Sequence, residues 1–123
     1  MSAAAALRGR ESAQFDLGPI DRIPPGEGQT FIVQGREIAV FRSREDAVWA
    51  TQARCPHKAW LLADGIVGGG QVICPLHSYK FDLGSGAPVR NECAALRTYL
   101  TEVTADRRVL VWIGGRETWS ADA

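Results

Sequence analysis

Apolar and polar positions alternate with a period of two along much of the chain, and glycine, proline and aspartate interrupt the alternation at short intervals. That combination predicts many short strands. Residues 29–33 and 37–42 are β-branched and aromatic runs flanking Gln34-Gly35-Arg36, where a glycine at positive φ suits a tight hairpin. Residues 43–46 form the next turn and 47–52 the next strand. Residues 97–104 and 108–113 pair around Ala105-Asp106-Arg107, with Gly114-Gly115 ending the last strand. Residues 15–20 add an edge strand before the Pro24-Pro25 break. No helix-period apolar pattern exceeds two turns, the weak candidate being 93–97. The expected fold is all-β, an antiparallel β-sandwich or small barrel.

Residues 53–90 read differently. Three of the six prolines, six of the 13 glycines and both histidines fall there. So do Trp60, Leu61, Leu62, Ile66, Val67, Val72, Ile73 and Phe81, enough apolar side chains to pack an ordered functional insertion. Gly68-Gly69-Gly70 reads as a hairpin turn, since neither a Walker lysine nor a G-x-G-x-x-G register accompanies it. The expected organisation is an N-terminal tail at 1–13, one domain at 14–115 with its subdomain at 53–90, and a C-terminal tail at 116–123.

Composition narrows the classes of function. A chain of 123 residues accommodates one domain of ordinary size. Its 14 Lys+Arg balance 14 Asp+Glu, with the basic residues scattered, so neither a nucleic acid nor an anionic membrane surface is an expected partner. No apolar run approaches the roughly 20 residues of a membrane span, and residues 1–10 do not resemble a secretory signal. Three cysteines without an export signal argue against a disulfide framework and for a reducing cytoplasm.

The scarce residues carry the chemistry. Cys55-Pro56-His57 and Cys74-Pro75-Leu76-His77 are separated by sixteen residues, and each places one thiolate and one imidazole in a tight loop. Two such loops make a four-ligand soft site for metal. Two Cys and two His satisfy either tetrahedral zinc or a 2Fe–2S cluster with one all-thiolate and one all-imidazole iron. A structural zinc finger more often groups its two Cys in one half and its two His in the other, whereas here each half holds one of each. Cys93 fits no ligand slot and reads as a small buried apolar residue. Trp49, Trp112, Phe31 and Phe41 fall at strand positions and are expected in the core.

At these residues the chain resembles the Rieske ferredoxin family, whose pattern is C-x-H, about sixteen residues, then C-x-x-H. The resemblance runs from about residue 32 to 113. It includes Asp64-Gly65, Phe81-Asp82-Leu83 and a third, proline-containing loop, Gly84-Ser85-Gly86-Ala87-Pro88, that covers the cluster. It implies a Rieske-type 2Fe–2S cofactor with Cys55, His57, Cys74 and His77 as ligands. Leu62-Ala63-Asp64-Gly65-Ile66-Val67, Cys74-Pro75-Leu76-His77, and Glu92-Cys93 followed by Leu96-Arg97-Thr98-Tyr99 are similar to the small subunits of assimilatory NAD(P)H-dependent nitrite reductases. That likeness implies a large flavin- and sirohaem-containing partner subunit that reduces nitrite to ammonia. The chain departs from the family pattern at Ala59 to Leu61, where glycine and proline are usual, and at Ser78, usually glycine. The extra cysteine of high-potential members is missing from each loop, and their hydroxyl positions correspond to Tyr79 and Phe81. Fewer hydrogen bonds to sulfur imply a potential near the low end of a range of about −150 to +300 mV.

The oxidised iron–sulfur core carries roughly two positive charges, which two thiolates cancel, so an electron enters more easily than in an all-cysteine cluster. Lys58 and Lys80, the chain's two lysines, flank the histidines and either offset the added charge, dock an acidic surface or are ordinary surface residues. No histidine remains for a mononuclear iron, and no nicotinamide or flavin fingerprint occurs. The expected role is a one-electron carrier between proteins, with His57 and His77 at the exit edge. Alternatives are the ferredoxin of an aromatic-ring dioxygenase and, from another class, a zinc-stabilised interaction module.

Overall fold

The computed structural model describes residues 12–56, 60–74, 79–89 and 94–114. Among these residues, eleven strands are arranged in three antiparallel sheets, β1–β11–β10, β2–β3–β4–β9 and β5–β6–β7–β8. In chain order they are β1 Ser12–Pro19, β2 Glu27–Val33, β3 Arg36–Arg42, β4 Val48–Gln52, β5 Ile66–Gly68, β6 Gln71–Ile73, β7 Lys80–Asp82, β8 Pro88–Val89, β9 Thr98–Tyr99, β10 Thr101–Val103 and β11 Arg108–Gly114. The only helical elements among the described residues are two 3-10 turns, Ile20–Arg22 and Leu62–Asp64.

The hairpins follow the turn chemistry. Between β2 and β3, Val33 pairs with Arg36, leaving the two-residue turn Gln34-Gly35 with φ of 51° and 77°. Positive φ at both positions matches the right-handed twist of the flanking strands. Gly69 and Gly70 repeat this between β5 and β6. The β10–β11 turn closes through the Thr104 amide to the Arg108 carbonyl at 2.9 Å, with Arg107 at φ 65°.

Two expected strands end differently. The edge strand stops at Pro19, and Ile20 turns into the 3-10 segment so that it and Ile23 enter the core. The run at 97–104 breaks at Leu100 into β9 and β10, because this corner carries the chain from one sheet to the next. The Trp112 amide donates to the Leu100 carbonyl at 3.0 Å, and the Thr101 hydroxyl donates to the Val48 carbonyl at 2.9 Å. Residues 94–97 are not helical, and 90–93, with Glu92 and Cys93, lie outside the described residues.

β3 organises the interior. Ile38, Ala39, Val40 and Phe41 are all fully buried, and alternate side chains face opposite ways. Ile38 and Val40 join Val33, Ala50, Tyr99, Val109, Val111 and Ile113 in the core between the first two sheets. Ala39 and Phe41 join Leu62, Val72, Phe81, Leu83 and Leu96 in a second core beneath the third sheet. Phe41 is the fully buried aromatic among the strand positions expected in the core; Phe31 and Trp49 are half-buried against its margins, and Trp112 is half-buried.

Candidate metal centre

Cys55 and Cys74 stand at the roots of two loops built alike. In the first, the Leu62 amide donates to the Ala53 carbonyl at 2.8 Å, Arg54 bridges Leu61, and the Cys55 amide donates to the Trp60 carbonyl at 2.8 Å. In the second, β6 and β7 pair up to Ile73 and Lys80, and the Cys74 amide donates to the Tyr79 carbonyl at 2.6 Å. Each loop is thus a narrow hairpin whose last rung joins the cysteine amide to the carbonyl five residues on. His57 and Lys58 fall in the first excursion and His77 and Ser78 in the second, outside the described residues.

Both cysteines are buried, at 2% and 1% exposure, in the same apolar core as Phe41, Leu62, Val72 and Phe81. Neither forms a disulfide. A thiolate in apolar surroundings is unstable unless a positive centre compensates it. Two thiols in one core, at matching positions of two matching loops, therefore fit a shared soft cation.

Close backbone approach sets the loop spacing. Gly65, which leaves the first loop, lies so near β6 that a Cβ would overlap the carbonyl oxygen of Ile73, the residue before Cys74. The third loop is folded by Asp82, whose carboxylate accepts the Ser85 amide and hydroxyl at 2.8 and 2.9 Å. Gly86, at φ +81°, donates to the Asp82 carbonyl at 2.7 Å and accepts the Leu96 amide at 2.7 Å. Leu96 fills the core that holds both cysteines, so the third loop and the 94–97 segment close over it as one unit.

Three polar residues escaped sequence reasoning. Arg54 reaches back to β3, its Nε and Nη2 donating to Glu37 Oε1 and Oε2 at 2.9 and 3.1 Å. This hydrogen bond is the main cause that holds the Glu37 carboxyl below its ordinary range. Gln52 donates from Nε2 to the Arg54 carbonyl and accepts the Arg97 amide at Oε1, both at 2.8 Å. Alternation marks Gln52 only as a strand residue, and an Arg–Glu pair 17 positions apart has no local signature. On the outer surface Lys80 is exposed and Trp60 is 48% exposed, while Tyr79 is half-buried against the core.

The Rieske [2Fe-2S] domain profile matches residues 13–100. The ferredoxin component of the naphthalene 1,2-dioxygenase system of Pseudomonas aeruginosa is 33% identical over 97 residues, 76% of this chain and 89% of that one. A structure assigned as the small subunit of an NADPH nitrite reductase is 31% identical with a TM-score of 0.72, over 80% of this chain and 97% of that one. A Mycobacterium tuberculosis protein assigned as an NADH-dependent nitrite reductase small subunit shares the fold, with a TM-score of 0.79 at 24% identity over 87% and 100% of the two chains. The chain spans only 22% of the 4beta-methylsterol monooxygenase of Methylococcus capsulatus, at 32% identity over 83 residues. The zinc alternative falls away: with its paired loop roots and this match, the chain belongs to the Rieske [2Fe-2S] domain family and is an electron carrier with a 2Fe–2S cluster.

Proposed function

We propose that Cys55, His57, Cys74 and His77 ligate the cluster and that the chain is the small subunit of an assimilatory NAD(P)H nitrite reductase. The cluster supplies one-electron storage; the chain's own residues hold the two loops, bury the thiolates and keep the surface around Trp60 and Lys80 open to a redox partner. The observation that carries the ligand set is the matching amide-to-carbonyl closure at Cys55 and Cys74, over one buried core. The nitrite reductase reading is supported by the 31% identity to an assigned NADPH nitrite reductase small subunit over 97% of that chain. In this reading electrons arrive from and leave to a large flavin- and sirohaem-bearing subunit in the cytoplasm.

A dioxygenase ferredoxin is the second reading, favoured by the 33% identity over 97 residues to the naphthalene dioxygenase component. Reconstitution separates the two. The purified chain is expected to restore NAD(P)H-dependent nitrite reduction to a sirohaem large subunit; turnover restored only to a ring-hydroxylating oxygenase would overturn the assignment. For the ligands, Cys55→Ser and His77→Ala are expected to abolish the visible absorbance and reduced-state EPR signal of the iron–sulfur centre. A wild-type spectrum in either variant would remove that residue from the set.

A further inference from the structure

Arg54 immediately precedes Cys55 and is restrained on three sides. Its backbone bridges Leu61 across the first loop, its carbonyl accepts from Gln52, and its guanidinium makes a two-point contact with Glu37 on β3. Exposed ion pairs usually contribute little to stability, and this one is 51% and 39% exposed. A two-point guanidinium–carboxylate contact does fix geometry, however. It also sets two opposite charges beside the strand end that presents Cys55, where an electron adds one negative charge.

We propose that Glu37 and Arg54 form a positioning and charge-setting clamp for the iron–sulfur centre: the pair anchors the first loop to β3 and, by remaining neutral, sets the potential at which the centre accepts its electron. This rests on the assignment of Cys55 as a ligand. Without Glu37, the Arg54 cation loses this counter-charge and favours the reduced, more negative state more strongly. Without Arg54, the uncompensated Glu37 carboxylate disfavours it. Salt screens such exposed charges, with a Debye length of about 10 Å at 0.1 M.

The test is a spectroelectrochemical titration of the cluster-loaded protein at low and high salt. In Glu37→Gln the midpoint potential should rise, in Arg54→Gln it should fall, and in the double variant it should return close to wild type, with both single shifts shrinking in salt. A purely mechanical pair would move both single variants the same way or leave both in place, and either result overturns the clamp. Should Arg54→Gln fail to take up iron, Glu37→Gln and the double variant decide alone: a double variant displaced as far as Glu37→Gln overturns the proposal. Cys55→Ser in the same series separates the two assignments. A wild-type spectrum there defeats the ligand assignment, whereas loss of the spectrum with unmoved Glu37→Gln and Arg54→Gln potentials defeats only the clamp.

Discussion

Gly35 and Gly65 are both glycines for reasons that a sequence does not distinguish. Gly35 sits at φ +77° with open space where a Cβ would go, so alanine there meets only backbone strain, about 1 kcal/mol. Gly65 has an ordinary φ of −82°, but a Cβ would overlap the Ile73 carbonyl, and the backbones must part. We expect Gly35→Ala to lower unfolding stability by about 1 kcal/mol at unchanged iron content. Gly65→Ala should cost about 2–3 kcal/mol and lower the iron content, because the two loops move apart. Urea unfolding and iron analysis check both; full iron in Gly65→Ala would show that loop spacing does not depend on this contact. Arg42 is a third case, a cation only 7% exposed. Its Nη1 donates to the Ile23 carbonyl at 2.8 Å and its Nε to Asp46 at 2.9 Å, tying the segment after β1 to the turn after β3. Arg42→Met should destabilise by about 2 kcal/mol and let the Asp46 carboxyl rise towards its ordinary range, observable by NMR titration. Burial of Arg42 was invisible in the sequence, where it reads as the polar end of an apolar strand.

Among the elements, β3 separates the two functions of the fold. Its existence as a strand was legible, as were the hairpins at Gln34-Gly35 and Gly69-Gly70, because turn chemistry and a β-branched and aromatic run are written in neighbouring residues. The four fully buried positions from Ile38 to Phe41 also read as an apolar run. That its two faces serve two cores was not legible, since the partners Val109 and Val111 lie about seventy residues away, Leu62 sits in a separate 3-10 turn and Phe81 belongs to another sheet. The break at Leu100 escaped for the same reason: only the distant Trp112 amide and Val48 carbonyl make it a corner. The candidate site was legible in residue type and spacing, whereas the struts Gln52, Glu37 and Arg54 depend on contacts remote in sequence. The two faces of β3 predict different phenotypes. Phe41→Ala opens the core that holds Cys55 and Cys74 and should cost about 3–5 kcal/mol with loss of iron. Val40→Ala, one residue earlier, empties space in the other core and should cost about 2 kcal/mol with the cluster spectrum kept. Equal loss of iron in both variants would mean that the two cores yield together.

For the whole molecule, the balance of 14 basic and 14 acidic groups makes acid the destabilising direction. Among the described residues, four carboxyls are held below their ordinary range. Asp16 is lowered chiefly by its hydrogen bond from Arg108, Glu37 by Arg54, Asp46 by Arg42 and Asp106 by the Thr104 hydroxyl. Unfolding returns them to about 3.9 for Asp and 4.3 for Glu. Between the folded and unfolded values the unfolded chain binds more protons, so stability must fall as pH falls. The contribution is fully present above about pH 5 and is lost through the folded values, below about pH 4. Protonating the 14 carboxyls also leaves 14 Lys+Arg charges unopposed, and their mutual repulsion adds to the loss in the same direction. Urea unfolding at a series of pH values should therefore give a plateau from pH 5 to 7 and a steep decline below pH 4. Asp16→Asn isolates one pair, since it removes the Asp16 charge that meets Arg108 at 2.8 Å without changing side-chain size. The variant should be less stable than wild type on the plateau, and the two curves should converge in acid, as Asp16 in the wild-type chain takes up its proton. A gap that persists undiminished into acid would instead mean that the Asp16 charge is not what stabilises the fold.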